Sequence, residues 1–378
     1  MIVRSKRVWL NDGFRPAAIE MENGKITGIL PYETKADADF DDLRIVPGFI
    51  DVHCHGAFGF DTNYADPEGL RKWTKGIVHD GVTGFLATTV TELKPVLTKA
   101  VKNVATVVRE GYEGARILGI HFEGPYLDMD HKGAQPPEAI VKPSVEEFEE
   151  YQNAADGLIR IITLAPEHDV NHELIRYCAS HGVNASLGHS GATYEEAVSA
   201  FEDGARSITH TFDAMTPFHH RNPGLAGAAL RLRDQYSEII CDCHHVSPAA
   251  LNVFFHAKDP DKGIMISDSL MCKGLDVGTH FLFGGHDCEV WPDHTAHLAG
   301  TDTIAGSTMH TNEGLRNLVE KAEVPFDIAL ASCTKNPAGL LRMDDHLGYI
   351  RNGYDANLTI LRDDYEVVSV FVNGERQF

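Results

Sequence analysis

A chain of 378 residues with 43% hydrophobic and 23% charged content has the composition of a soluble globular protein and is long enough to bury a large core. Its net charge of −22, from 33 basic and 55 acidic residues, excludes a general nucleic-acid or anionic-membrane surface, since either needs a basic excess. The opening MIVRSKRVWLNDGFRP lacks a signal-peptide core, no stretch approaches the roughly 18 apolar residues of a membrane span, and seven scattered cysteines do not form a disulfide framework, so a cytoplasmic protein with reduced thiols is expected.

Residues 1–45 read as short strands and turns, with Asn11-Asp12-Gly13 and Asn23-Gly24 as hairpin signals. An apolar, β-branched run then recurs, each time followed by a helix-like stretch. The runs are 45–52, 82–88, 116–122, 158–165, 183–188, 207–211, 238–242 and 263–267. The amphipathic stretches include 67–80, 93–110, 144–155, 170–181, 193–203 and 247–257. Ser144 with Glu147, and Thr193 with Glu196, have capping-box spacing. Eight buried strands alternating with helices predict an α/β fold, a parallel sheet closed into a (β/α)₈ barrel, with an open doubly wound sheet as the alternative. Residues 275–300 are expected to form an irregular insertion after the eighth strand. Residues 346–378 hold a second strand pair, turning at Asn352-Gly353 and Asn373-Gly374. The two chain ends are expected to pair into one small β domain, dividing the chain at 1–46, 47–343 and 344–378.

In PGFIDVHCHG, residues 47–56, His53 and His55 follow a buried strand two residues apart, so both imidazoles point to the same side. At the C-terminal end of a barrel strand that side is the mouth, where barrel active sites lie. Glu123 ends the third predicted strand, His189 the fifth, His210 the sixth and Asp268 the eighth. One such histidine is more often a satisfied structural residue than a ligand. Four histidines and two carboxylates at matching strand ends are not explained that way, and imidazole with carboxylate suits zinc or ferrous iron.

PGFIDVHCHG followed by single-histidine strands resembles the amidohydrolase superfamily. Within it, HFEGPYLD, SLGHSGATYEEA, THTFDAMTPFHHRNPGLAGAAL, CDCHHVSP, ISDSL and AGSTMHTNEGLRNL are similar to the N-acetylglucosamine-6-phosphate deacetylases, from the first β region to the closing GYIRNGYDANLTIL. The resemblance implies a barrel carrying a small β-sandwich built from both chain ends, a homodimer, and removal of acetate from N-acetyl-D-glucosamine 6-phosphate. It implies one or two divalent transition metals per subunit, zinc before iron. Glu123, His189 and His210 would hold the metal found throughout the family, and His53 and His55 would complete a second site, with Glu123 as bridge. Asp268 matches the catalytic aspartate.

For the substrate, the resemblance implies phosphate contacts from His245 and from Arg221, the latter reaching the neighbouring subunit's site. It also implies sugar or phosphate contacts from Ala134, Gln135, Asp213, Ala214, Ile304, Ala305 and Gly306; His219 and His220 receive no role. Two positions depart from the family pattern: Asp213 stands where Asn is usual, and Gln135 where some members have His. Deacetylation of the galactosamine epimer is the nearest alternative. Cyclic amidases such as dihydroorotase are disfavoured, because the fourth strand, LIRIITLAPE, has no lysine to bridge two metals. A non-catalytic binding relative would be expected to have lost ligands or the proton carrier, and none is missing.

Overall fold

The structure, a computed structural model, describes residues 1–11, 13–293 and 295–378. Eight strands form one all-parallel sheet in strict chain order: β1 (Phe49–Cys54), β2 (Val82–Thr89), β3 (Arg116–Glu123), β4 (Ile159–Leu164), β5 (Asn184–Leu187), β6 (Ser207–Ile208), β7 (Tyr236–Ile240) and β8 (Gly263–Ile266). A helix follows each strand, as parallel neighbours require a crossover. The first and last strands meet at the mouth, where Asp268 N–H donates to His53 O at 2.9 Å and His55 N–H to Ser269 O at 2.8 Å. Ser267 Oγ donates to the buried Asp51 carboxylate at 2.6 Å across the same seam. This is a (β/α)₈ barrel, as the alternation predicts.

The strands read as continuous apolar runs because both faces are covered. Ile50, Val52, Leu86, Leu118, Ile161 and Ile264 cluster with Ala338 and Leu340 of the helix Lys335–Leu340. Polar groups are buried further along the strands toward the mouth: His121, Thr163, Ser186, Thr209 and Glu238.

Both chain ends share a separate sheet. Ile2–Leu10, Gly13–Glu22, Lys25–Leu30 and Arg44–Pro47 join Leu358–Leu361, Val367–Val372 and Glu375–Arg376, through the antiparallel pairing of Leu358 with Pro47 and Leu361 with Arg44. Asn23-Gly24 and Asn373-Gly374 turn two-residue hairpins as expected. Leu10 pairs with Gly13, while Asp12 of the first hairpin signal lies outside the described residues. Asn352-Gly353 turns no hairpin. There the chain crosses to the N-terminal strands, with Gly353 N–H donating to Ile26 O at 2.8 Å.

Two further expectations are corrected. The single run 45–52 is two strands in different sheets, Arg44–Pro47 and Phe49–Cys54. They part at Gly48, where a Cβ would lie 2.2 Å from Thr83 Oγ1, so only glycine admits the close approach to β2. The insertion is not irregular. His280–Phe283, His286–Val290, Thr295–Leu298 and Ile304–Ser307 form a four-stranded antiparallel sheet. Gly284-Gly285, both at positive φ (55° and 79°), makes its first two-residue turn, a dipeptide signal present in the sequence.

The helix caps follow the residues. Thr193 and Glu196 close a complete capping box on Tyr194–Glu202. Ser144 accepts from Glu147 N–H, but the Glu147 carboxylate is taken by the Tyr126 hydroxyl at 3.1 Å, so only half of that box forms.

Candidate metal centre and active site

The barrel brings all six predicted mouth residues together. His53 lies within β1, His55 just beyond it, and Glu123 is the last residue of β3. His189, His210 and Asp268 each sit two residues past their strand, at φ values of 47°, 24° and 48°. This left-handed backbone costs a non-glycine residue of order 1–3 kcal/mol and persists only where the surroundings impose it. It ends each strand and swings the side chain over the mouth.

Glu123 is the centre of the cluster. Its Oε1 lies 3.2 Å from His189 Nε2, 3.2 Å from His210 Nε2 and 3.4 Å from His53 Nε2. Its Oε2 lies 3.6 Å from His55 Nε2 and accepts from Gln135 Nε2 at 2.7 Å. Asp268 Oδ1 lies 3.1 Å from His55 Nε2 and 3.5 Å from His53 Nε2.

The tautomers follow from the outer hydrogen bonds. His189 Nδ1 faces His131 O at 3.0 Å and His210 Nδ1 faces Asp213 O at 3.2 Å. Carbonyls only accept, so each Nδ1 carries the hydrogen and each Nε2 presents a lone pair. Those two Nε2 atoms are 3.0 Å apart. Two lone pairs at that distance repel, and two imidazolium ions would repel more; a cation satisfies both. His53 Nε2 is likewise buried with no hydrogen-bond partner among the described residues. The donor set, converging imidazole nitrogens and carboxylate oxygens without thiolate, fits a divalent transition metal. It divides into two groups, Glu123–His189–His210 and His53–His55–Asp268.

Electrostatics sort the carboxylates. Where no cation is bound, protons on the His53, His189 and His210 imidazoles stand in for it and hold the Glu123 carboxyl well below the usual range, against burial, which works to raise it. The same opposition, burial against His53 and His55, leaves Asp268 lowered and therefore ionised. Burial pushes Asp213 up to about 6 against the pull of His245 and His210. Burial would depress His245, but the Asp242 carboxylate 2.5 Å from its Nδ1 more than offsets this and raises it to about 9.

A cavity of ≈ 310 Å³ opens over the cluster. His55, Glu123, His189, His210 and Asp268 form its base, and Ala134, Gln135, Asp213, Ala214, His245, Ile304 and Ala305 its walls. Gln135 has less freedom than a sugar contact requires: one amide end donates to Glu123 and the other accepts from Thr91 N–H at 2.7 Å. It positions Glu123. Gly306 is buried behind the wall and outside the lining. Arg221 does not reach this cavity in its own chain; it is exposed, with its guanidinium 2.9 Å from His220 Nε2.

Sequence reasoning missed Phe283, Glu238 and His121. Phe283 walls the cavity and packs its ring 5.4 Å from that of His55, and alternation in HFLFGGHDCEV was its signal. Glu238 is fully buried, with Oε2 3.1 Å from His53 Nδ1. An acid inside the apolar run EIICD was the available clue. His121 packs its ring 4.4 Å from that of His53.

The Amidohydrolase family profile matches residues 44–376. The N-acetylglucosamine-6-phosphate deacetylase of Bacillus subtilis (strain 168) is 36% identical, covering 100% of this chain and 94% of its own length. The N-acetylgalactosamine-6-phosphate deacetylase of Escherichia coli O157:H7 is 30% identical, over 99% and 98% of the two chains. Among solved structures, a mutant N-acetyl-D-glucosamine-6-phosphate deacetylase from Mycobacterium smegmatis, in complex with N-acetyl-D-glucosamine-6-phosphate, superimposes with a TM-score of 0.94 at 30% identity, covering 100% of this chain and 99% of that one. With the strand-end cluster and the full-length likeness agreeing, the chain belongs to the amidohydrolase family, in the branch of the N-acetylglucosamine-6-phosphate deacetylases.

Proposed function

We propose that this chain hydrolyses N-acetyl-D-glucosamine 6-phosphate to D-glucosamine 6-phosphate and acetate, in amino-sugar catabolism. The observation that carries the reading is the convergence of the His189, His210 and His53 Nε2 lone pairs on Glu123 Oε1, with Asp268 beside them at the floor of a sugar-sized cavity. Glu123, His189 and His210 would hold one divalent cation, and His53 and His55, together with Glu123, would hold a second; zinc suits the donors best and ferrous iron is the alternative. When bound, such a cation lowers the pKa of a water toward neutrality and polarises the acetamide carbonyl.

Asp268 is the proton carrier. Ionised and turned toward His53 and His55, it takes the proton of the water that attacks the carbonyl carbon. It returns that proton to the amide nitrogen as the C–N bond breaks, so the amine leaves neutral with acetic acid, whose remaining acidic proton passes to the amine or to solvent to give acetate. Gln135 and Thr91 keep Glu123 fixed, and the backbones at His131 and Asp213 fix the two imidazoles. Cationic His245, held by Asp242, receives the phosphate, and Arg221 of the partner subunit in a homodimer completes that end. A guanidinium fork matches phosphate geometry, and Arg221 is exposed and does not line its own cavity. Ala134, Asp213, Ala214, Ile304 and Ala305 line the sugar pocket, with Gln135 holding Glu123 at its edge and Gly306 behind its wall. The seven cysteines are all free thiols, which suits a cytoplasmic protein. No helix among the described residues is long and apolar enough to cross a membrane.

Turnover of the two N-acetylhexosamine 6-phosphates, with elemental analysis of the same preparation, tests the reading. The gluco epimer is expected to be turned over with the higher kcat/KM, with zinc or iron bound. A preference for the galacto epimer would reassign the substrate, and turnover of neither would overturn the reading.

A further inference from the structure

Behind the metal-facing histidines, within the barrel, lies an acid that the reaction above does not use. Glu238 is on β7, with no exposed surface. Its Oε2 faces His53 Nδ1 at 3.1 Å, while its Oε1 has no hydrogen-bond partner among the described residues. Leaving a carboxyl buried and half satisfied is costly unless its charge is needed. The outer Nδ1 atoms of His189 and His210 face backbone carbonyls instead, His131 O and Asp213 O, and that of His55 has no hydrogen-bond partner among the described residues.

We propose that Glu238 is a positioning residue for His53, and that the second cation depends on it. The inference rests on the two-cation reading given above. A carboxylate at Nδ1 fixes the hydrogen there, turns the Nε2 lone pair toward Asp268 and Glu123, and makes the imidazole a stronger donor. Charge points the same way. Two divalent cations bring four positive charges against the two negative ones that Glu123 and Asp268 supply within the ligand groups, and a carboxylate at Glu238 would add a third.

Glu238 and His53 also group with His121, but those three do not form another metal site. Both His121 nitrogens are engaged, Nδ1 with Val52 O at 2.9 Å and Nε2 with Thr163 Oγ1 at 2.7 Å. The carbonyl fixes the hydrogen on Nδ1, so Nε2 accepts from the threonine and no lone pair remains for a cation. His121 is instead the wall against which the His53 ring rests.

The test uses the full-length protein, stripped of metal and titrated with Zn²⁺, with bound ions counted by elemental analysis. Wild type is expected to bind two ions per chain. Glu238→Gln, which keeps an acceptor and loses the charge, is expected to weaken the second ion by about 10- to 100-fold while the first is unchanged. Glu238→Val is expected to bind one ion only. Should the valine variant fail to fold, the glutamine variant decides the matter through ¹⁵N imidazole NMR of the zinc-loaded protein, in which the His53 Nδ1 signal shifts and those of His189 and His210 stay. Two ions in wild type with both variants indistinguishable from it would overturn the role of Glu238 alone. One ion in wild type would overturn the two-cation reading and this inference with it.

Discussion

The two groups of candidate metal ligands are built on different foundations. His189 and His210 sit on left-handed backbone just past their strands, and their outer nitrogens are held by main-chain carbonyls. His53 lies within a regular strand and its outer nitrogen is held by a side chain, Glu238. A carbonyl belongs to every residue, so the first half survives substitution of the groups that orient it, provided the loop keeps its course. The second half is tied to the identity of one buried acid. Glu123 joins them, with Oε1 shared between the halves and Oε2 restrained by Gln135.

The strongest test of that contrast is removal of one ligand from each half. His210→Ala is expected to strip the Glu123–His189–His210 ion and reduce turnover to background. His53→Ala is expected to leave one ion bound and measurable turnover. Equal loss of both ions in the two variants, read by elemental analysis, would show that the halves do not bind independently. Asp268→Asn comes next. Removing the proton carrier should lower kcat by about 10²- to 10⁴-fold with bound metal largely retained. Loss of metal with retained turnover would move Asp268 from proton carrier to ligand.

Effects at the phosphate end should be smaller and should spare the metal centre altogether. Arg221→Ala is expected to raise KM for the 6-phosphate by about 10- to 100-fold, the usual worth of a charged hydrogen bond, with little change for the unphosphorylated sugar. An equal change for both would remove Arg221 from the phosphate site. The smallest effect is a pH dependence. His245 titrates at about 9, above its ordinary 6.5, so its positive charge and its pairing with Asp242 are present below that pH and are lost as pH rises through about 9. KM for the phosphorylated substrate should therefore climb severalfold across that window, and His245→Gln should flatten the climb. Because the folded value is raised, the stability contributed by the His245–Asp242 pair is also complete below about 6.5 and declines toward 9.

Much of this was legible from residues alone. The alternation of apolar runs with capped helices led to the barrel, because strand and helix periodicities are local properties of side-chain order. The strand-end cluster was legible because a polar residue closing an apolar run, repeated strand after strand, has few structural explanations. The break inside IVPGFIDV was not, since the distance from Gly48 to Thr83 exists only once β2 is in place. The insertion sheet was overlooked although Gly284-Gly285 marks its turn, the flanking alternation being short and interrupted by histidines.

By itself, then, the sequence determined the barrel, the strand-end cluster of histidines and carboxylates, and the family, all of which depend on pattern and spacing. Only the tertiary structure decided which nitrogen of each imidazole faces the metal, that Gln135 restrains Glu123, and that Glu238 stands behind His53. Apart from His210 and Asp213, 3 positions apart, those facts join residues 12 to 185 positions apart, and the tautomer of an imidazole is set by whatever lies against its far side. No local pattern carries that information.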